Sequence, residues 1–196
     1  MEWGKMRTSL VTASTARIVD LDTMKTHLNK DTDEDDFYID VLIDSAQACV
    51  ENITNRKFLT ETWKAYTDDW PTYFTLPFGK LQSVTSIKYT DVDGDESTVT
   101  ASEYIVDIIS DPGRIILADG ENWPTDNLYP SNPIKVEFVC GYGTPSTVPQ
   151  PIKSAIMTMI TDTYENRGSI MVGTNLSVID IPGHIMNLLW SYRLFP

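Results

Sequence analysis

The chain has only two cysteines and two histidines in 196 residues, and that scarcity removes several chemistries at once. Cys49 falls in a helical pattern and Cys140 in a strand-like run. Two such thiols make no disulfide framework, and they read as buried free thiols behaving as small hydrophobes. His27 and His184 have no cysteine or acid at zinc-ligand spacing, so no metal is expected. No run approaches the roughly 20 apolar residues of a membrane span. The first residues lack the charged-then-apolar pattern of a signal peptide, which predicts a cytoplasmic start. Basic residues are also few: 15 Lys and Arg stand against 28 Asp and Glu, for a formal charge of -13. This argues against a protein that grips nucleic acid through its phosphates, while a protein past which DNA slides without sticking remains compatible. No Gly-x-Ser-x-Gly elbow, phosphate loop or His-Glu-x-x-His motif occurs. No catalytic residue is therefore assigned, and no cofactor is expected.

What is present centres on Thr32 to Phe58. Ile39, Leu42, Ile43, Ala46, Cys49, Val50 and Ile53 recur at steps of three and four, which predicts one apolar stripe on a helix. Asp36, Asp40, Asp44, Gln47, Glu51 and Asn55 fall on the wet side. Thr32 or Asp33 can cap the start. The acids of the first turn and Arg56 and Lys57 near the end both suit the helix dipole. One helix cannot bury that stripe alone, so a later segment must cover it.

Residues 1–20 mix Ser, Thr and scattered apolars without a period and are expected to form an extended or loosely ordered N-terminal arm. A short helix capped by Asp22 or Thr23 should run through Met24 and Lys25 to Leu28. From Thr60 the period drops to about 2, predicting strands at Thr62 to Asp68, Tyr73 to Leu76, Val84 to Tyr89, Glu103 to Ile109, Arg114 to Leu117 and Ile134 to Cys140. The segment from Asn122 to Pro133 reads as a loop. No helix-length crossover separates these strands, so the lobe of about six strands should be antiparallel. Helical spacing returns after Pro149 and Pro151 with Ile152, Ala155, Ile156, Met159 and Ile160, up to a stop near Gly168. This helix is the natural cover for the first stripe. The expected fold class is α+β. A small helical core of residues 21–59 and 149–168 carries an inserted antiparallel β-rich lobe, 60–148, and an extended C-terminal tail, 169–196. That tail is poor in charge and rich in apolar residues, as expected of a segment that folds back on its own core or docks on another subunit.

Some local patterns invite sharper readings. Asp91-Val92-Asp93-Gly94-Asp95 looks like a calcium loop, but its glycine comes too early and Ser102 stands where the closing glutamate belongs. A hairpin turn is the better reading. The run Asp33 to Asp36 could hold a cation, but a solvated helix start is the better reading. Asn52-Ile53-Thr54 fits a glycosylation sequon inside a helix and is discounted. The aromatics Trp63, Tyr66, Trp70, Tyr73 and Phe74 could form a ligand platform, which keeps open a stand-alone β-rich binding module, although packing of a small sheet suits them better.

The chain carries, in order, Leu21…Lys25…Leu28, Ile53-Thr54-Asn55-Arg56, then Trp63, Leu76-Pro77 and Val84…Ile87-Lys88-Tyr89 before Asp93-Gly94. Val136-Glu137-Phe138, Gly141-Tyr142-Gly143, Val148-Pro149-Gln150-Pro151-Ile152, Tyr164-Glu165-Asn166-Arg167-Gly168 and Leu188-Leu189-Trp190-Ser191-Tyr192-Arg193 follow. Taken together, this order resembles the head–tail connector (adaptor) proteins of tailed bacteriophages, in the branch with an inserted β-domain. The resemblance covers roughly residues 20–196. The tail carries Trp190-Ser191 where relatives often have Ala-Pro before Tyr-Arg. The resemblance implies a structural protein without enzymatic activity, forming a homo-oligomeric ring, commonly of twelve copies, that docks on the portal and extends the DNA channel. Its implied partners are further copies of itself, the portal protein, a downstream tail or connector protein, and DNA passing through the lumen without sequence-specific binding. Its implied location is the head–tail junction of the virion, with assembly in the host cytoplasm. The C-terminal segment would meet the portal through Ile185, Leu188, Leu189, Trp190, Tyr192, Arg193, Leu194 and Phe195, since buried aromatics and arginine dominate interface energy. Asp36, Asp40 and Asp44 would face either a neighbouring subunit or the lumen, where acids repel phosphates.

Overall fold

The computed structural model describes residues 6–166 and 182–195. Among the described residues are eight strands and four α-helices, an α+β chain as expected, arranged in two compact units that interleave along the sequence. One unit contains Ala16–Thr54 and the described part of Thr144–Arg193. The other contains residues 6–15, Asn55–Gly143 and residues 194–195.

The first unit is helical. Helix α1 (Leu21–His27) is capped by Asp20 and not by Asp22 or Thr23. Asp20 is extended and accepts the Thr23 backbone N–H at 2.7 Å, which holds its carboxyl below the usual range. Asp22 is thereby left inside the first turn, where the dipole favours it. Helix α2 (Asp36–Thr54) is shorter at both ends than the period from Thr32 to Phe58 predicts. Its start is delayed because residues 33–36 close a turn, with the Asp36 N–H donating to the Asp33 carbonyl. Its end comes early because Asn55 takes a left-handed φ of 53°. Helix α3 (Gln150–Glu165) follows Pro149 and carries Pro151 in its first turn, where a missing N–H costs nothing.

The stripes of α2 and α3 cover each other. Ile39, Leu42, Ile43, Ala46 and Val50 are buried on α2, and Ile152, Ala155, Ile156 and Ile160 on α3. Each fully buried aliphatic side chain contributes about 1.5–3 kcal/mol relative to exposure. The Tyr164 hydroxyl donates to Asp35 just before α2, and the Lys30 ammonium lies 5.3 Å from the centre of the Tyr164 ring.

The stretch expected as an extended tail is folded over residues 182–195. Helix α4 (Gly183–Leu189) runs into a 3-10 turn at Trp190–Tyr192, and α4 packs on α3. Ile185 and Leu189 are four residues apart, one helical turn, and both are buried. The expected helix stop at Gly168 and the apolar Val178, Ile179 and Ile181 lie outside the described residues.

The second unit holds two antiparallel sheets. One has the order β1-β2-β8-β4-β5, with β1 at Arg7–Thr12, β2 at Glu61–Thr67, β4 at Leu81–Thr90, β5 at Glu96–Thr98 and β8 at Ile134–Cys140. The other has the order β3-β7-β6, with β3 at Tyr73–Thr75, β6 at Tyr104–Asp107 and β7 at Arg114–Leu117. Residues 7–12, expected in an arm, thus pair with β2, Arg7 opposite Tyr66 and Leu10 opposite Trp63. Every side chain of β1 is exposed, so it carries no apolar period to read. Strand β8 lies at the centre, with Ile134, Val136, Phe138 and Cys140 buried and the alternate residues half-buried. Both sheets contribute to one apolar cluster, in which Phe74 and Ile115 join Ile87, Ile134, Val136 and Phe138. The Asp91 turn consumes its own carboxylate: Oδ1 accepts the backbone N–H groups of Asp93 and Asp95, both at 3.0 Å.

Candidate functional site

The residues singled out from sequence divide cleanly by burial. Of the eight expected to dock, Ile185, Leu189 and Leu194 are buried within the chain, whereas Trp190 and Phe195 are each 60% exposed. Leu188, Tyr192 and Arg193 are half-buried. The buried three form the anchor of the segment. Ile185 and Leu189 tie α4 into the helical unit. Leu194 is held in the β-rich unit, where its carbonyl accepts from the Asn55 side chain at 2.9 Å. Sequence apolarity alone does not distinguish a residue that anchors a segment from one that the segment presents. The register of a seven-residue helix does so here.

Asp36, Asp40 and Asp44 lie on one flank of α2, each a turn from the next. None of them forms an unpaired acidic face. Arg17 donates to Asp40 and, at 2.8 Å, to Asp44. Lys25 lies 2.7 Å from both Asp36 and Asp33, and these two hold its ammonium protonated well above the ordinary lysine range, Asp33 most. Arg17 comes from the segment expected to be a loose arm, so nothing in a residue-by-residue scan announced this pairing. The signal available was the i, i+4 spacing of the acids, which invites a basic partner.

Beside that flank lies an exposed stripe that the sequence reading missed. Phe37, Val41, Ser45 and Ala48 recur at helical spacing on the side of α2 opposite its buried stripe. Phe37 is 83% exposed and Val41 45%. A second exposed apolar surface occurs on the three-stranded sheet. Tyr73 stands opposite Ile116, and Ile116 opposite Ile105, so one cross-strand row carries three large apolar side chains outward. Ile109, in the hairpin loop between β6 and β7, is 90% exposed. Two of the acids near this row in the chain are paired. Asp107 lies 2.9 Å from Arg114 and accepts the Ser110 hydroxyl, which together with the Ser110 N–H holds its carboxyl far below the ordinary range. Asp111 is bound by Arg56.

The aromatics considered as a ligand platform are mostly spent on one another. Trp70 stacks on Trp123 at 5.0 Å and meets the edges of Phe74 and Tyr89. Trp123, from a segment read only as loop, also donates its indole N–H to the Pro71 carbonyl at 2.7 Å. Trp63 packs on Phe78, with Lys57 over its ring. Only Tyr73 of the original five is exposed. A shallow, open hollow of about 470 Å³ is lined by Asp22, Thr23, Thr26, His27 and Met157, without a nucleophile beside a base. Among the described residues, no group of three His, Cys, Asp or Glu side chains is placed to hold a metal ion, and no helix is long and apolar enough to cross a membrane.

Comparison with known proteins bears on the fold and the family. Residues 18–111 match the model of the phage gp6-like head-tail connector protein family. No curated protein matches the chain in sequence. Among solved structures, a chain from the neck of an empty GTA particle, computed with C6 symmetry, superposes with a TM-score of 0.76 at 21% identity over 97% of both chains. A chain from the neck of a native GTA particle, computed with C12 symmetry, gives 0.72 at 21% identity over 97% of both. A chain from the virion of a native gene transfer agent particle gives 0.73 at 20% identity, again over 97% of both.

Proposed function

From the match of residues 18–111 to the model of the phage gp6-like head–tail connector family, we propose that the chain is a member of that family and works as one subunit of a ring at the head–tail junction of a virion. The observation that carries this reading is a fold shared end to end with chains of particle necks, one of them computed with C12 symmetry. Such a ring, of about twelve copies, docks on the portal, extends the DNA channel and passes the connection on to a tail-side protein. It assembles in the host cytoplasm. The role is structural: a ring needs surfaces that close on themselves, and this chain offers exposed apolar surfaces on two units.

In this reading the C-terminal segment meets the portal through Trp190 and Phe195, with Leu188, Tyr192 and Arg193 beside them. Ile185, Leu189 and Leu194 fix the segment to its own chain. A pre-folded segment with exposed aromatics loses less entropy on docking than a disordered one. The net charge of -13 suits a channel wall that DNA slides past, because an acidic wall repels phosphates. Arg17 and Lys25 offset only part of the charge that Asp36, Asp40 and Asp44 add to that field, because the two cations are shared among these three acids and Asp33.

The test is mass and shape. The purified chain mixed with its portal should give closed rings by native mass spectrometry and negative-stain imaging. A chain that stays monomeric with the portal present refutes the reading. The binding-module alternative instead requires a ligand lost on Tyr73→Ala in a protein that remains monomeric.

A further inference from the structure

We infer that the ring closes head to tail: the Phe37–Val41 stripe of α2 in one copy seats on the Tyr73–Ile116–Ile105 sheet face of the next copy. This rests on the connector reading above and adds the two surfaces that meet.

The first argument is symmetry. A ring of identical chains uses a heterologous contact, so each copy must carry two unlike patches that fit each other but need not fit themselves. Two such patches are present, one helical and one on a sheet, in different units of the chain. Each presents large apolar side chains to solvent: Phe37 and Val41 on α2, and Tyr73, Ile116 and Ile105 in a cross-strand row. Exposed large apolar groups in a contiguous patch are characteristic of interaction surfaces.

The second argument is charge, and it selects the occupant. A second copy carries the same formal charge of -13, so any contact between copies must avoid opposing acids. Two like unit charges about 4 Å apart repel by about 4 kcal/mol at an effective dielectric of 20. At both patches some of the flanking acids are ion-paired within their own chain. On α2, Arg17 and Lys25 hold Asp36, Asp40 and Asp44. Beside the sheet, Arg114 holds Asp107 and Arg56 holds Asp111. Arg17 and Lys25 beside one apolar face, and Arg114 and Arg56 beside the other, lower the repulsion that another acidic chain meets there. A phosphate backbone would want those cations unpaired, so DNA is the wrong occupant.

The test uses two single variants and their mixture. Phe37→Asp and Ile105→Asp place a charge at exposed positions, so the far-ultraviolet spectrum and melting temperature should stay those of the wild type. Each variant alone should lose the ring on the portal. Mixed in equal amounts without portal, across a concentration series carried to the solubility limit, they should give a one-to-one heterodimer by native mass spectrometry. That mixture retains one good contact, between the intact sheet of the Phe37→Asp chain and the intact α2 of the Ile105→Asp chain, and cannot propagate further. Rings formed by either variant, or a mixture that yields no heterodimer, overturn the inference while leaving the connector reading in place. Wild-type chains that never form rings with the portal overturn both.

Discussion

Arg56 and Asp111, 55 residues apart, meet as two parallel contacts: Nη1 donates to Oδ1 at 3.0 Å and Nη2 lies 2.8 Å from Oδ2. The guanidinium is almost wholly buried while the carboxylate keeps about a third of its surface. Asp111 Oδ1 also accepts the Lys80 backbone N–H at 3.3 Å. One pair thus ties the chain leaving α2 to the hairpin loop between β6 and β7 and to the turn before β4.

Removing Asp111 strands the guanidinium in a place with little water, whereas removing Arg56 leaves a carboxylate that is about a third exposed. Arg56→Ala should destabilise the β-rich unit by about 2–4 kcal/mol, the lower part of that range reflecting the exposed side of Asp111. Arg56→Lys should recover less than half of the loss, because an ammonium cannot make both contacts. Denaturant unfolding of the two variants, with Asp111→Ala to close a double-mutant cycle, measures this. A coupling indistinguishable from zero would contradict the assignment.

Much of this architecture was legible in the residues. The α2 and α3 stripes, the antiparallel strands and the helix start after Pro149 all follow from periodicity and proline chemistry. What was not legible lacked an apolar pattern of its own. Strand β1 buries no side chain, and β5 (Glu96–Thr98) is three exposed polar residues defined by pairing with β4. The capping role of Asp20 depends on a backbone dihedral that several neighbouring acids and threonines could have supplied. The exposed Phe37–Val41 stripe was hidden because the same helix carries a stronger buried stripe. Likewise Trp123 joins the core from a loop, where no period could announce it.

Gly141 tests the crossing where the Gly-Tyr-Gly run passes residues 58–60. Its φ is +111°, and an added Cβ would sit 2.1 Å from the Leu59 carbonyl oxygen. The neighbouring Tyr142 N–H donates to the Phe58 carbonyl at 2.8 Å, so the backbone there cannot yield cheaply. Gly141→Ala should cost about 3–5 kcal/mol from conformational strain and overpacking together. A thermal unfolding curve for this variant that overlays the wild type would show the crossing to be looser than described.

Glu96 supplies a pH signature. Lys135 and then Lys88 hold its carboxyl down to about 2, from an ordinary 4.5. Because the folded value is depressed, the stabilisation is complete above the unfolded value. It is lost as pH falls from about 4.5 towards about 2. Glu96→Gln should flatten that part of the acid limb in denaturant titrations and leave the neutral-to-alkaline limb unchanged. An unaltered acid limb would assign the pH dependence to other carboxylates, Asp107 first.

On the proposed reading, anchoring and docking fall to different residues of the C-terminal segment. Leu189→Ala opens a cavity beneath α4 and should cost about 2–4 kcal/mol in the helical unit. Trp190→Ala and Phe195→Ala remove exposed rings, so stability should change by less than about 0.5 kcal/mol while portal attachment is lost. Co-sedimentation with portal, read beside melting curves, distinguishes the two classes. Attachment that survives the paired Trp190→Ala and Phe195→Ala change would move the docking surface elsewhere on the chain.

In the proposed ring, Arg17 would link charge to assembly. It lies in the stretch before α1 and holds both Asp40 and Asp44 on the flank of the Phe37–Val41 stripe. Its side chain and both acids are more than a third exposed or nearly so, which limits their direct contribution to folding. Arg17→Ala should therefore shift stability by less than about 1 kcal/mol. It should weaken association between copies much more, because two uncompensated carboxylates then confront a neighbour that is itself acidic. The deficit should shrink with added salt, since exposed charges are screened over about 8 Å at physiological ionic strength. Sedimentation velocity at low and high salt, for wild type and variant side by side, reads this out directly. A salt-independent loss of association would point to a packing role for Arg17, and unchanged association would remove charge compensation from the account of how the ring closes.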